Sequence, residues 1–163
     1  MGRSSSVAIR RATNADLAAV GRLGALLLRV HYEFDHDRFM SPGAGAEEGY
    51  AWFLGTQLNE GDSLVLVAER APEIVGYLYA AIEPRNWKEL RDEAAFVHDI
   101  LVAEGHRNEG IAEALLAEAL AWARSRGAPR IMLWTASPND RARRLFERLG
   151  FRATMIEMTK ELK

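Results

Sequence analysis

The chain has 163 residues, 48% of them hydrophobic and 27% charged, with a formal net charge of −2 and no cysteine. This size and balance fit one globular domain, and the missing cysteine excludes disulfides, thiolate metal sites and a cysteine nucleophile. Near-neutral charge offers no footprint for nucleic acid, no apolar run is long enough for a membrane span, and no signal-peptide pattern opens the chain, so a cytoplasmic protein is the default expectation.

Met1 to Ser6 reads as a disordered leader and residues 7–163 as a single domain. Val7 to Arg10 reads as a first strand. Thr13-Asn14-Ala15-Asp16 has the form of a capping box and so announces a helix. Leu17, Val20, Leu23, Leu27 and Val30 then recur at threes and fours, a buried stripe ending near His31. Tyr32 to Met40 is irregular, aromatic and acidic. Glu33, Asp35 and Asp37, with Glu47 and Glu48 beyond, are the acids available for a rim that draws in a cation, although acidic loops are more often simply solvated. His31 and His36 are spaced for neither a helical pair nor a ligand motif, so no metal is expected. A second helix, about Glu47 to Leu58, turns Tyr50, Phe53 and Leu54 inward.

Ser63 to Arg70 and Ile74 to Ile82 are β-branched, apolar runs joined by Ala71-Pro72-Glu73, which is a hairpin. A loop containing Pro84 and Trp87 leads to a largely apolar strand, Ala95 to Val102, carrying two polar residues, His98 and Asp99. After a turn, Ile111, Leu115, Leu116, Ala119, Trp122 and Ala123 mark a helix from about Gly110 to Gly127. Arg130 to Thr135 is the next strand and Asn139 to Leu149 the last helix, with Ala142, Leu145, Phe146 and Leu149 inward and Gly150 as its cap. Its Arg141, Arg143, Arg144 and Arg148 read as a solvated face or a phosphate neighbour. Thr154 to Leu162 is expected to close the chain as a strand.

The turn His106-Arg107-Asn108-Glu109-Gly110-Ile111-Ala112 joins a strand to a helix start. The first amides of a helix lack internal partners and its dipole end favours negative charge, so such a turn is an anion site. Gly110 permits close backbone approach, and Arg107 adds a permanent charge with a planar donor fork. A pyrophosphate would fit. The string Arg107-Asn108-Glu109-Gly110-Ile111-Ala112 fits R-x-x-G-x-G/A and resembles the coenzyme A loop of the GCN5-related N-acetyltransferases. Asn139-Asp140-Arg141-Ala142-Arg143-Arg144-Leu145-Phe146-Glu147-Arg148-Leu149-Gly150-Phe151 is similar to that family's second signature, N-x-x-A-x-x-L-Y-E-K-x-G-F.

The resemblance implies a mixed α/β sheet of order β-α-α-β-β-β-α-β-α-β, splayed between its fourth and fifth strands. It implies acetyl-CoA as co-substrate, gripped by residues Arg107 to Ala112 (Glu109 turned to solvent) and laid along Ile100, Leu101 and Val102. Asn139, Ala142 and Phe146 fall on the coenzyme side, Asn139 also reading as a plain helix cap. The family usually transfers acetyl directly to a primary amine. The small-molecule branch, with diamines and polyamines among its substrates, carries a glutamate where His98 stands here.

Three chemical tasks follow. Neighbours on a strand point to opposite faces, so His98 and Asp99 are expected on opposite sides. An imidazole of ordinary pKa ~6.5 suits a base near neutrality, whereas a carboxylate near ~3.9 needs burial, so His98 is the favoured base. Asp99 is left to bind the amine's charge or anchor a neighbour. The N–H of Leu101 or Val102 is the candidate oxyanion donor. Tyrosine, the family's usual acid for the leaving thiolate, is replaced by Phe146; Ser137, Tyr32 or water are the substitutes, and nothing in the sequence chooses among them. Glu33, Asp35 and Trp87 are the substrate-side candidates. A small-molecule amine is the expected partner; similar proteins commonly dimerise, which brings in a homodimer. The rival readings are acetylation of a protein amine, or a coenzyme-binding sensor without turnover.

Overall fold

The computed structural model describes residues 6–162. The expected leader falls outside the described residues except for Ser6. Strand β1, Ala8–Arg11, runs into the capping box, where the Thr13 N–H donates to Asp16 Oδ2 at 2.8 Å. Arg10 grips the same carboxylate through two nitrogens, at 2.8 and 2.9 Å. Helix α1, Leu17–Phe34, starts from this clamp and runs three residues past the expected His31. Helix α2, Ala46–Gln57, packs against it, burying Leu54 but leaving Phe53 39% exposed. Strands β2, Ser63–Arg70, and β3, Glu73–Glu83, form the hairpin, followed by β4, Ala94–Val102. Helix α3 is Ile111–Ser125, β5 is Ile131–Leu133 and α4 is Asp140–Arg148.

The strands lie in the order β1-β2-β3-β4-β5, antiparallel except for the parallel β4–β5 pair. Both faces are covered, which is why the central strands read as continuous apolar runs. One face carries Leu64, Leu66, Leu78 and Val97 against Leu115, Leu116 and Ala119 of α3 and Phe146 of α4. The other carries Val65, Val67, Tyr77, Tyr79 and Leu101 against Val20, Leu23 and Leu27 of α1 and Leu54 of α2.

Two features set the site. Pairing of β4 with β5 covers only Ala95 to Val97, while pairing with β3 continues to Val102, so the sheet forks at Val97. The β3–β4 register also slips: Tyr79 faces Asp99, but Ala80 faces Val97, leaving His98 as the extra residue of a β-bulge.

The expected closing strand does not form. Residues 154–162 are exposed and belong to no strand, with Met155, Ile156, Met158 and Leu162 each at least 79% exposed. Its composition suits a strand, but a strand needs a neighbour to satisfy its backbone, and this segment has none among the described residues.

Candidate active site

The coenzyme side is built from backbone. Gly110, at φ 78°, caps α3 without any side-chain acceptor for the first amides of the helix, and Asn108 is also left-handed at φ 64°. These turns fold the loop back over the helix start. Arg107 Nε donates to Val102 O at 3.3 Å, and Arg141 Nη2 donates to Asn108 Oδ1 at 3.0 Å, tying the loop to both β4 and α4. Glu109 is not free in solvent: it pairs with Arg70, which holds its carboxyl below the ordinary carboxylate range. Arg70 also donates to His106 Nδ1 at 2.9 Å. The acid inside the anion loop is thus neutralised from β2, a contact thirty-nine residues away that no local motif encodes.

Past the fork, the outer edge of β4 has no strand beside it. Ala103 N–H donates to Val75 O, so alternation sends the Leu101 amide to β3 as well, opposite Tyr77, and turns Ile100 and Val102 outward. This corrects Leu101 as oxyanion donor and as a coenzyme contact through its backbone: its polar groups are used inside the sheet. The outward groups are those of Ile100 and Val102, with Val102 O accepting from Arg107. Thr135, just beyond β5, buries a hydroxyl with no partner among the described residues, a polar atom left for something to meet. A helix start without a side-chain cap, an open strand edge and the Arg107 guanidinium, anchored by Nε to Val102 O, together fit a phosphate-bearing, amide-rich donor.

On the α1/α2 face the bulge overturns the expected alternation. His98 and Asp99 lie on the same side, because a bulge places two successive residues opposite one. Asp99 Oδ2 accepts from Tyr77 Oη at 3.0 Å, and the His98 ring stacks on Tyr79 at 5.1 Å; both tyrosines belong to that one face. Burial pushes the Asp99 carboxyl above its usual range, against the opposing pull of Tyr77, His98 and His31. His98 Nε2 lies 2.7 Å from Glu83 Oε1, with both side chains about a third exposed. Glu83 is the residue that sequence reasoning misses. It stands fifteen positions from His98, and the antiparallel pairing of β3 with β4, which sets Glu83 opposite Ala94, brings the two onto one face.

The other candidates divide. Asn139 Oδ1 accepts the Ala142 N–H at 3.2 Å and so caps α4. Phe146 is 6% exposed, packs on Phe151 and is core, with Ala142 beside it. Asp35 accepts the amides of Asp37 and Arg38, a turn rather than a rim. Glu33 is exposed on α1, and Trp87 is 79% exposed under the Arg85 guanidinium. Tyr32 stacks on His36 at 4.4 Å. Among the described residues, none of these four hydrogen-bonds or stacks with His98. Among the described residues no cluster of three or more His, Asp or Glu side chains is arranged to hold a metal ion, and no helix is long and apolar enough to cross a membrane.

The sheet thus forks beside a helix start that has no side-chain cap, and His98 stands at the fork. The chain belongs to the acetyltransferase (GNAT) family, whose model matches residues 27–151, and is an acetyl-CoA-dependent acetyltransferase. The uncharacterized N-acetyltransferase YhfO of Bacillus subtilis is 30% identical over 145 residues, 88% of each chain. The uncharacterized N-acetyltransferase YycN of the same organism is 36% identical over 90 residues, so the match spans about half, 55%, of each chain. A solved tetramutant of the BH1408 protein from Bacillus halodurans shares the fold, with a TM-score of 0.80 at 22% identity over 95% of this chain and 99% of that one.

Proposed function

We propose that the protein transfers acetyl from acetyl-CoA directly to a primary amine of a small molecule. The observation that carries this reading is His98, the first residue past the last β4–β5 pair, bonded to Glu83. A carboxylate accepts, so the Nε2 side carries the proton and Nδ1 keeps its lone pair. Nδ1 has no hydrogen-bond partner among the described residues and is the base.

Acetyl-CoA supplies a thioester carbonyl already activated for attack. The amides at the start of α3 and the Arg107 fork hold its phosphates, and the outward groups of Ile100 and Val102 hold its arm as an added strand would be held. The acceptor arrives as an ammonium, drawn by Glu83 and Asp99. His98 Nδ1 takes one proton and passes it to water. The freed lone pair forms the C–N bond as the C–S bond breaks, and the second amine proton ends on the departing sulfur through water. The outward N–H groups meet the charge that develops on the carbonyl oxygen. With Phe146 buried as core, no side chain replaces the usual tyrosine; a thiol of pKa about 8.5 leaves without one.

The molecule is also proposed to act as a homodimer. Residues 154–162 expose four large apolar side chains, and β5 is an edge strand. A second copy offers each the partner it lacks in its own chain.

Thiol release from acetyl-CoA across a panel of amines, with His98→Ala beside the native chain, tests the reading. Expected are amine-dependent release and a loss of about a hundredfold or more in H98A with coenzyme affinity kept. Tight coenzyme binding with silence across small amines and peptides would mean a sensor, and release with peptides alone a protein acetyltransferase.

A further inference from the structure

Five rings form one unbroken row across the α1/α2 face at the fork. Phe53 of α2 meets Tyr79 edge-on at 5.6 Å, and Tyr79 stacks on His98 at 5.1 Å. His98 stacks on Phe96 at 4.9 Å, and Phe96 meets Trp134 edge-on at 5.2 Å. The inner rings, Tyr79 and Phe96, are buried, while the ends are open: Phe53 is 39% exposed and Trp134 69%. Trp134 directly follows Leu133, the last paired residue of β5, as His98 directly follows Val97. The two residues therefore begin the two arms of the fork.

Scattered exposed aromatics need no explanation. A continuous row with the base at its centre and an indole at its open end does. Two carboxylates stand beside His98 on the same face, Glu83 at 2.7 Å and its chain neighbour Asp99, which accepts from Tyr77. Arg91 lies 6.0 Å over Phe96 but is occupied by Glu89 and by Pro84 O. The row thus presents anionic groups at its centre and a flat apolar surface at its Trp134 end.

We propose that the acceptor is a primary amine carried about two methylenes from a flat apolar ring, bound with its ring against Trp134 and its ammonium at His98 Nδ1, the ring nitrogen that Glu83 leaves open. This rests on the acetyl-transfer reading above. Two ring steps separate His98 from Trp134, and an amine on a two-carbon arm spans that gap. The indole face is the strongest of the side-chain π-faces for a cation or a flat partner. A many-hydroxyl aminosugar would strand its hydroxyls on this surface, which costs binding at every unmatched group. A linear polyamine would need carboxylates spaced along its length, and Asp35 on the α1–α2 connection is already spent on its own turn.

The experiment compares kcat/KM for 2-phenylethylamine, n-butylamine, spermidine and kanamycin, read as thiol release, in the native protein and in Trp134→Ala and Trp52→Ala. Trp52 is an exposed tryptophan outside the row. Expected is a preference of about tenfold or more for the aryl amine over butylamine. In W134A that ratio falls to near one, W52A leaves it intact, and Trp134→Phe restores most of it. Unfolding temperature and the KM for acetyl-CoA report whether each variant is folded. A preference for spermidine, kanamycin or butylamine, or a ratio indifferent to Trp134, overturns this inference while acetyl transfer stands. No release with any amine overturns the acetyl-transfer reading and this one with it.

Discussion

Asp99 sits beside His98 with its carboxyl half enclosed and one tyrosine hydroxyl as donor. Because burial raises its pKa above the unfolded value of 3.8, ionising it opposes folding. Below about pH 4 the acid is protonated in both states and nothing is lost; the burden grows as pH rises above the unfolded value and is complete once pH has passed the raised folded one. Asp99→Asn, which still accepts from Tyr77, should therefore raise the unfolding temperature at pH 7 and lose that advantage below about pH 4. Thermal unfolding at both pH values checks it. The residues of this centre are partly legible in the chain. His98 and Asp99 stand out as polar interruptions of an apolar strand, but strict alternation puts them on opposite faces. The bulge that unites them comes from matching β4 to β3, a two-strand property that no single run of residues displays. Glu83 is hidden for the same reason, and so is the neutralising Arg70.

The clamp at the start of α1 is the opposite case, because everything it needs is local. Thr13 and Asp16 are three apart, as a capping box requires, and Arg10 is close enough in the chain to add two charge-assisted bonds. Arg10, first among these partners, holds the buried Asp16 carboxyl down at about 2, against 3.8 when free. Its contribution is complete above pH 3.8 and disappears as pH falls through about 2. Asp16→Asn is expected to cost up to about 2 kcal/mol at pH 7, with the difference from the native chain vanishing near pH 2, as measured by urea unfolding across that range. Helix α3 and the β2–β3 hairpin are equally readable, since their periodicity and punctuation agree. The closing strand fails for want of a neighbour. Met155, Ile156 and Met158 give it strand-like composition, and composition does not say what lies alongside.

At the level of the molecule that unpaired segment sets an expectation. If a second copy covers it, sedimentation at micromolar concentration returns a dimer, and Ile156→Asp with Met158→Asp returns a monomer that remains folded. A native monomer over the whole range would remove the dimer. The sheet as a whole is organised about β4, which serves two clients by different means. On the proposed reading its outer edge and the Arg107 loop hold the donor largely through backbone groups, whereas the α1/α2 face of the sheet meets the acceptor through side chains, the rings of Tyr79, Phe96 and Trp134. Amides are indifferent to mutation and side chains are not. Descendants of this chain selected for a new acceptor can therefore retool one face freely while inheriting the donor grip unaltered, so that taste for the amine drifts quickly and dependence on the thioester hardly at all.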